Sequence, residues 1–184
     1  TDNIFGHLPI ILMFSDYENV LFKYPNEIEA HSFDDYMVFP FSKDDCMLRI
    51  SLVHQRSRRE LDANPLTRLP GNTSIMKAME QRIATGQPFA VAYADLDHFK
   101  AFNDRYGFAR GDEVIRLAAR ILVNSVQALN QPDTFVGHVG GDDYVFMASP
   151  DHIEDVCNTI INHFDLIIPS LYDPQDRDNG YISS

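Results

Sequence analysis

The chain has 184 residues, 45% hydrophobic and 23% charged, with 27 acidic against 15 basic side chains and a formal net charge of −12. That length allows one large or two small domains, and the hydrophobic share argues for a folded chain over a disordered one. The acidic balance argues against nonspecific binding to nucleic acid or to an anionic membrane surface, since both reward lysine and arginine.

In chain order, Ile4 to Phe14 is the most apolar stretch. It is too short to span a bilayer, Pro9 interrupts it, and Asp2 stands where a signal peptide would begin with basic residues, so it reads as a fully buried strand over 9–14. A short helix is expected over Tyr17 to Lys23 and a second strand over Tyr36 to Phe39. Ser42 then caps a helix beginning at Lys43, with Asp44 and Asp45 in its first turn, where the helix dipole favours anions. Met47, Leu48, Ile50, Leu52 and Val53 predict a wide buried face; Arg56, Arg58 and Arg59 mark its passage into a solvated linker. Beyond Asn64, Thr73 is a candidate cap for a helix to about Ala84, and Gly86-Gln87-Pro88 a turn. Phe89 to Ala94 is a strand ending on Asp95. A helix through Lys100 and Phe102 breaks near Gly107, and a long amphipathic helix starts at Gly111-Asp112. Phe135 to Val139 and Tyr144 to Met147 form a hairpin around Gly140-Gly141-Asp142-Asp143. A last helix opens at Pro150 or Asp151, 169–179 is loop, and Gly180-Tyr181-Ile182 starts a further strand. Cys46 and Cys157 lie in apolar helices with no disulfide framework or zinc spacing, which fits a reducing cytoplasm. Mixed strands with helices packed on one face imply an α/β sandwich of the polymerase-palm and nucleotide-cyclase kind.

Two stretches carry chemistry. Asp95-Leu96-Asp97-His98-Phe99-Lys100 and Gly140-Gly141-Asp142-Asp143-Tyr144 each put carboxylates at a strand edge. Taken singly, each reads as structure: a glycine turn in one case, an N-cap in the other. If the strands lie side by side, Asp95 and Asp142 converge on one oxygen-lined site suited to Mg²⁺, which brings substrate phosphates with it. The glycines leave room for a phosphate to approach the backbone.

The segment 64–184 resembles the GGDEF family of diguanylate cyclase domains. Pro65-Leu66-Thr67-Arg68-Leu69-Pro70-Gly71-Asn72 is similar to its opening D-x-L-T-x-L-x-N element. DLDHFKAFNDRYGFARGD, from Asp95 to Asp112, is similar to its D-x-D-x-F-K-x-x-N-D-x-x-G-H-x-x-G-D block. Gly140 to Tyr144 stands where the family has G-G-[D/E]-E-F. The resemblance implies a cytoplasmic enzyme that joins two GTP into cyclic di-GMP across a homodimer, with Mg²⁺ or Mn²⁺. It implies metal ligation by Asp95, the Leu96 carbonyl and Asp142, with Asp143 assisting as a catalytic residue beside Asp142. It further implies guanine recognition by Asn103 and Asp112, and a triphosphate held by Phe99, Lys100 and the backbone near Gly141.

Departures accompany the match. Asp143 replaces Glu, shortening reach by roughly 1.5 Å, and a misplacement of about 1 Å can cost on the order of a hundredfold in rate. Tyr144 replaces Phe, Asn64 the opening Asp, Phe108 a His, and His138 an Arg. Gln131 and Thr134 occupy the positions of the inhibitory R-x-x-D site, and Asp133, off by one, has no Arg, so product inhibition there is not expected. The alternatives are a catalytically degenerate GTP-binding regulatory module and a pure dimerisation module. A complete GGDEF fold would continue past Ser184, so the domain is expected to be C-terminally incomplete.

Residues 1–61 resemble the second half of a flavodoxin-like response-regulator receiver followed by a linker helix, which makes 62–184 the GGDEF-like domain. Phe33-Asp34-Asp35-Tyr36-Met37-Val38-Phe39-Pro40-Phe41 is similar to the receiver's D-D-Y-x-x-K-P-F turn, Ser15 to its phosphorylation-sensing hydroxyl, and Tyr36 to its aromatic switch. Phe39 replaces the lysine that contacts the phosphoryl group. An upstream sensor kinase is the partner this resemblance implies.

Overall fold

The computed structural model describes residues 9–16 and 33–182. The chain divides into two compact units, Thr1–Leu61 and Asp62–Ser184. Among the described residues no helix is long and apolar enough to cross a membrane.

In the first unit, β1 (Ile11–Phe14) pairs in parallel with β2 (Asp35–Val38), Ile11 opposite Asp35 and Phe14 opposite Val38. β1 is shorter and less covered than the sequence suggests: Met13 is 61% exposed. The helix expected over 17–23 lies outside the described residues. α1 (Lys43–Asp62) opens with the Ser42 hydroxyl accepting from the Asp45 amide at 3.0 Å. Arg49 clamps it to β2 through Asp35 at 3.2 Å. The wide buried face is not found, because among the described residues Val53 is the one buried side chain of α1, while Met47 and Leu48 are 57% and 58% exposed. An apolar stripe marks which residues seek cover, but the cover must come from elsewhere in the fold.

In the second unit, β3 (Ala90–Ala94), β5 (Asp143–Ala148) and β4 (Phe135–Gly140) form an antiparallel sheet in the order β3-β5-β4. β5 is central, and its alternating side chains are buried on both sides. Tyr144 and Phe146 join Ile115, Ala119, Leu122 and Val156 of α4 (Phe108–Gln127) and α5 (Ile153–Ile167). Val145 and Met147 meet Ile75 and Ala78 of α2 (Asn72–Thr85). Helices therefore cover both faces, where one face was expected: after Asp143 the strand is apolar and buried at every position from Tyr144 to Ala148, the pattern of a doubly covered strand. Gly137 is required where α2 crosses β4, since a Cβ there would lie 2.5 Å from the Ile75 side chain.

Helix ends differ from expectation for identifiable reasons. α2 is capped by Asp62, whose carboxylate accepts from the Thr73, Ser74 and Gly71 amides at 2.8, 2.9 and 3.2 Å. Burial pushes the Asp62 pKa up, and the bonds from Ser74 and Thr73 outweigh it, leaving the carboxyl below its ordinary value. α3 (Phe99–Tyr106) ends at Gly107, whose φ of +84° lets α4 begin at once at Phe108, three residues before the Gly111 expected to start it. α5 begins at Ile153, slightly later than expected. The tail is not loop: a 3₁₀ turn (Ile168–Leu171) leads into α6 (Pro174–Asn179), started by Pro174 at its first position and stopped by Gly180 in the left-handed region. Residues 180–182 form no strand. Cys46 and Cys157 are both free and half-buried in helices.

The tightest backbone approach is at Gly71, where a Cβ would stand 2.1 Å from the Asp62 carbonyl oxygen. Gly71→Ala is therefore expected to destabilise the second unit by about 3 kcal/mol, lowering the thermal midpoint by about 10 °C. Thermal unfolding of variant and wild type checks this, and a midpoint within 2–3 °C of wild type (roughly 1 kcal/mol or less) would mean the backbone yields freely.

Candidate active site at the sheet edge

Pairing of β3 with β5 ends at Ala94 opposite Tyr144, so Asp95 follows one strand end and Asp143 opens the other. At the turn, β4 and β5 each run one residue further than expected, with Gly140 opposite Asp143, so the connection is the pair Gly141-Asp142. Gly141 has φ +60°, and a side chain at either glycine would enter open space. A ligand can thus approach the turn without displacing protein.

Asp95 feels the other two carboxylates. Partial desolvation, then the charges of Asp142 and Asp143 and a hydrogen-bonding contact with Asp143, raise the Asp95 pKa. Tyr93, on the same strand and 62% exposed, has its phenol raised by desolvation and by the Asp143 charge and contact. Among the described residues, no three His, Cys, Asp or Glu side chains are arranged as a ready metal cage. Two carboxylates and a carbonyl completed by substrate phosphates are nonetheless what Mg²⁺ prefers, and mutual repulsion among acidic groups is what a cation relieves. The donor set fits the ion. The Leu96 carbonyl already accepts from the Phe99 amide at 3.2 Å and has a second lone pair.

Beside this edge, Gly111 of α4 lies under α3. A Cβ there would fall 1.9 Å from Asn103 Oδ1 and 3.3 Å from Phe99 Cζ. Asn103 Oδ1 is buried with no hydrogen-bond partner, an acceptor whose donor must come from elsewhere. Asp112 is half-buried, its carboxylate 4.0 Å from the Arg116 guanidinium one turn on. Phe99 packs against the core while Lys100 is exposed.

His138, noted in the sequence only as a departure, is 2% exposed and proves to be a tether. Its Nε2 lies 3.0 Å from the Gly141 carbonyl, which can only accept, so Nε2 carries the proton. Nδ1 then accepts from the Thr67 hydroxyl at 2.9 Å. The ring stacks on Tyr144 at 4.5 Å, and the Tyr144 hydroxyl donates to the Ile115 carbonyl at 2.8 Å. Thr67 lies in a loop that Asn64 organises by accepting from the Leu66 and Thr67 amides at 2.9 and 3.1 Å. A neutral amide oxygen suffices there, which explains the tolerated loss of charge. The signal for this tether was the pairing of an unusual His with a Thr 71 positions away, visible only once the loop is docked. Near Gln131 and Thr134 an arginine does arrive, from α2: Arg82 donates to the Asp133 carbonyl at 2.7 Å, to the backbone and not to the carboxylate.

The family model described as diguanylate cyclase, GGDEF domain matches residues 62–170. The chain belongs to the GGDEF family. An uncharacterized protein of Mycobacterium tuberculosis, Rv1354c, is 35% identical over 98 residues, and diguanylate cyclase DgcP of Pseudomonas aeruginosa is 32% identical over 101. These matches cover 52% and 53% of this chain but only 15% and 14% of those proteins. The crystal structure of the coiled coil and GGDEF domain of DgcB from Caulobacter crescentus in complex with c-di-GMP superposes with a TM-score of 0.52 at 23% identity. That match covers 64% of this chain and 63% of the DgcB chain, and it shows a shared fold. In this GGDEF domain, Gly140-Gly141-Asp142-Asp143-Tyr144 runs through the β4–β5 turn, and the Tyr144 hydroxyl is satisfied inside the core.

Proposed function

We propose that the second unit binds GTP with Mg²⁺ or Mn²⁺ and, as a homodimer, condenses two GTP into cyclic di-GMP. The observation that carries this reading is the convergence of Asp95, Asp142 and Asp143 from two chain segments on one sheet edge, where desolvation and then the Asp142 and Asp143 charges raise the Asp95 pKa. The 3′-hydroxyl of each GTP forms a bond to the α-phosphorus of the other, and pyrophosphate leaves from each. A bound divalent cation supplies charge neutralisation and acidifies the attacking hydroxyl. Asp95, the Leu96 carbonyl and Asp142 would hold it. Asn103 and Asp112 read guanine: a buried acceptor and a carboxylate match its exocyclic amine and N1–H, which adenine does not offer together. The backbone at Gly141, with Phe99 and Lys100, holds the triphosphate. Incubating the protein with GTP and Mg²⁺ and assaying for cyclic di-GMP and pyrophosphate tests this; GTP binding without product selects the regulatory-module alternative, and no GTP binding removes both.

One observation favours weak turnover. The short Asp143 side chain stands close enough for its charge to bear on Tyr93 and Asp95 at the sheet edge. Asp143→Glu is expected to raise the turnover number by about tenfold or more, by restoring reach, with little change in GTP affinity. Steady-state pyrophosphate release measures both, and an equal or slower variant would show that reach is not the fault.

For the first unit we propose a receiver-derived origin, supported by its parallel strand pair and the place of Tyr36 on β2. The exposed Met47, Leu48, Ile50 and Leu52 of α1 suit contact with a second copy. A sensor kinase as partner and a cytoplasmic location follow from the same resemblance.

A further inference from the structure

α3 carries Phe99 and Asn103 but has 8 residues, and Phe102 alone among them is buried. So short a helix has little stability of its own. What holds it comes from the tail that the sequence reads as loop. Asp176 of α6 is 3% exposed and accepts from the Tyr106 hydroxyl at 2.6 Å and from Arg105 Nε at 3.1 Å. Asp173 pairs with Arg110 at 2.8 Å, and the Arg110 guanidinium lies 4.8 Å from the Tyr106 ring centre. Tyr172 sets its ring edge-on to Phe102 and Tyr106 at 5.4 and 5.9 Å. These contacts fall on both sides of the Gly107 elbow: Arg105 and Tyr106 before it, Arg110 after it. They therefore set the angle between α3 and α4, which is the angle that seats Asn103 over Gly111.

We propose that 172–176 is a clasp and Asp176 a positioning residue, holding Asn103 Oδ1 where it accepts from the exocyclic amine of guanine. The nucleotide half of this proposal rests on the reading above; the clasp itself does not. The Tyr106 hydrogen bond, with Arg105, holds the Asp176 carboxyl below the usual range, so the clasp is ionised throughout the neutral range. Substituting the charge leaves Arg105 without its counter-ion and the elbow without its pin.

The test compares the full chain with Asp176→Asn by two measurements. Backbone hydrogen exchange without nucleotide should rise at least about tenfold over 99–106 and stay unchanged over 135–148, because local opening follows local contacts. The preference for binding GTP over ITP, which lacks the exocyclic amine, should fall from about tenfold toward parity. Tyr106→Phe, which removes one hydrogen bond and keeps the ion pair and the ring, should show the same two changes at smaller size and serves if Asp176→Asn fails to fold. Unchanged exchange over 99–106 overturns the clasp. Raised exchange with an unchanged GTP to ITP ratio overturns the positioning role. A wild type that binds neither nucleotide removes the GTP reading and the positioning role with it, and leaves the clasp to be decided by exchange alone.

Discussion

Asp142→Asn is expected to raise the thermal stability of the nucleotide-free protein and, on the proposed reading, to abolish stabilisation by GTP with Mg²⁺. Asp142 adds negative charge beside Asp95 and Asp143 at one strand edge. Asparagine keeps the shape and removes the charge. Since the groups are half-exposed or exposed, solvent screens the repulsion, and the gain is about 0.5 kcal/mol, shrinking as salt is added. The same change removes an anionic oxygen from the proposed cation site, so the proposed cyclase activity is expected to fall by at least about a hundredfold. Thermal midpoints with and without GTP and Mg²⁺, at low and high salt, read both effects. A variant that still responds to GTP with Mg²⁺ as wild type does would show that Asp142 does not hold the ion.

On the proposed reading, Gly111→Ala is expected to weaken guanine recognition while leaving the fold intact. Alanine inside a helix gains about 1 kcal/mol over glycine. The new methyl would meet Asn103 Oδ1 at 1.9 Å and Phe99 Cζ at 3.3 Å. The nearest of these is the end of a side chain, so Asn103 swings aside at a cost similar to the helical gain, and the midpoint moves by only a few degrees. The effect falls on the proposed site, because Asn103 Oδ1 no longer holds the place over Gly111 from which it would accept from guanine. GTP affinity is expected to drop about tenfold or more, measured by titration, with wild-type far-UV dichroism. Undiminished affinity would mean that Asn103 does not read the base.

Most strands and helices of the second unit were legible because each announces itself locally. The apolar run 89–94, the hairpin about Gly140-Gly141 and the amphipathic stretch after Gly111 depend on near neighbours in sequence. The carboxylates were legible as candidates for the same reason, since each sits at the end of such a run. Their mutual influence was not, because it depends on the β3–β5 register. Cap and tail positions were misread where a distant group decides. Asp62 displaces Thr73 as the cap of α2 through a chain reversal. The segment 174–179 has its local signals in Pro174 and Gly180, but it is docked by Asp176 finding Arg105 and Tyr106 some 70 residues away, which no local propensity encodes.

By itself, the order of apolar runs, glycines and acids determined that this chain builds a GGDEF-type sheet with carboxylates at its edge. Those signals are short-range, and side-chain period and turn geometry express them directly. Tertiary structure alone decided that helices cover both faces of β5, that His138 and Thr67 tether the turn, and that a tail helix pins the elbow beneath Asn103. Each of these joins groups that sequence separates widely, and such contacts exist only once the chain has closed around its core.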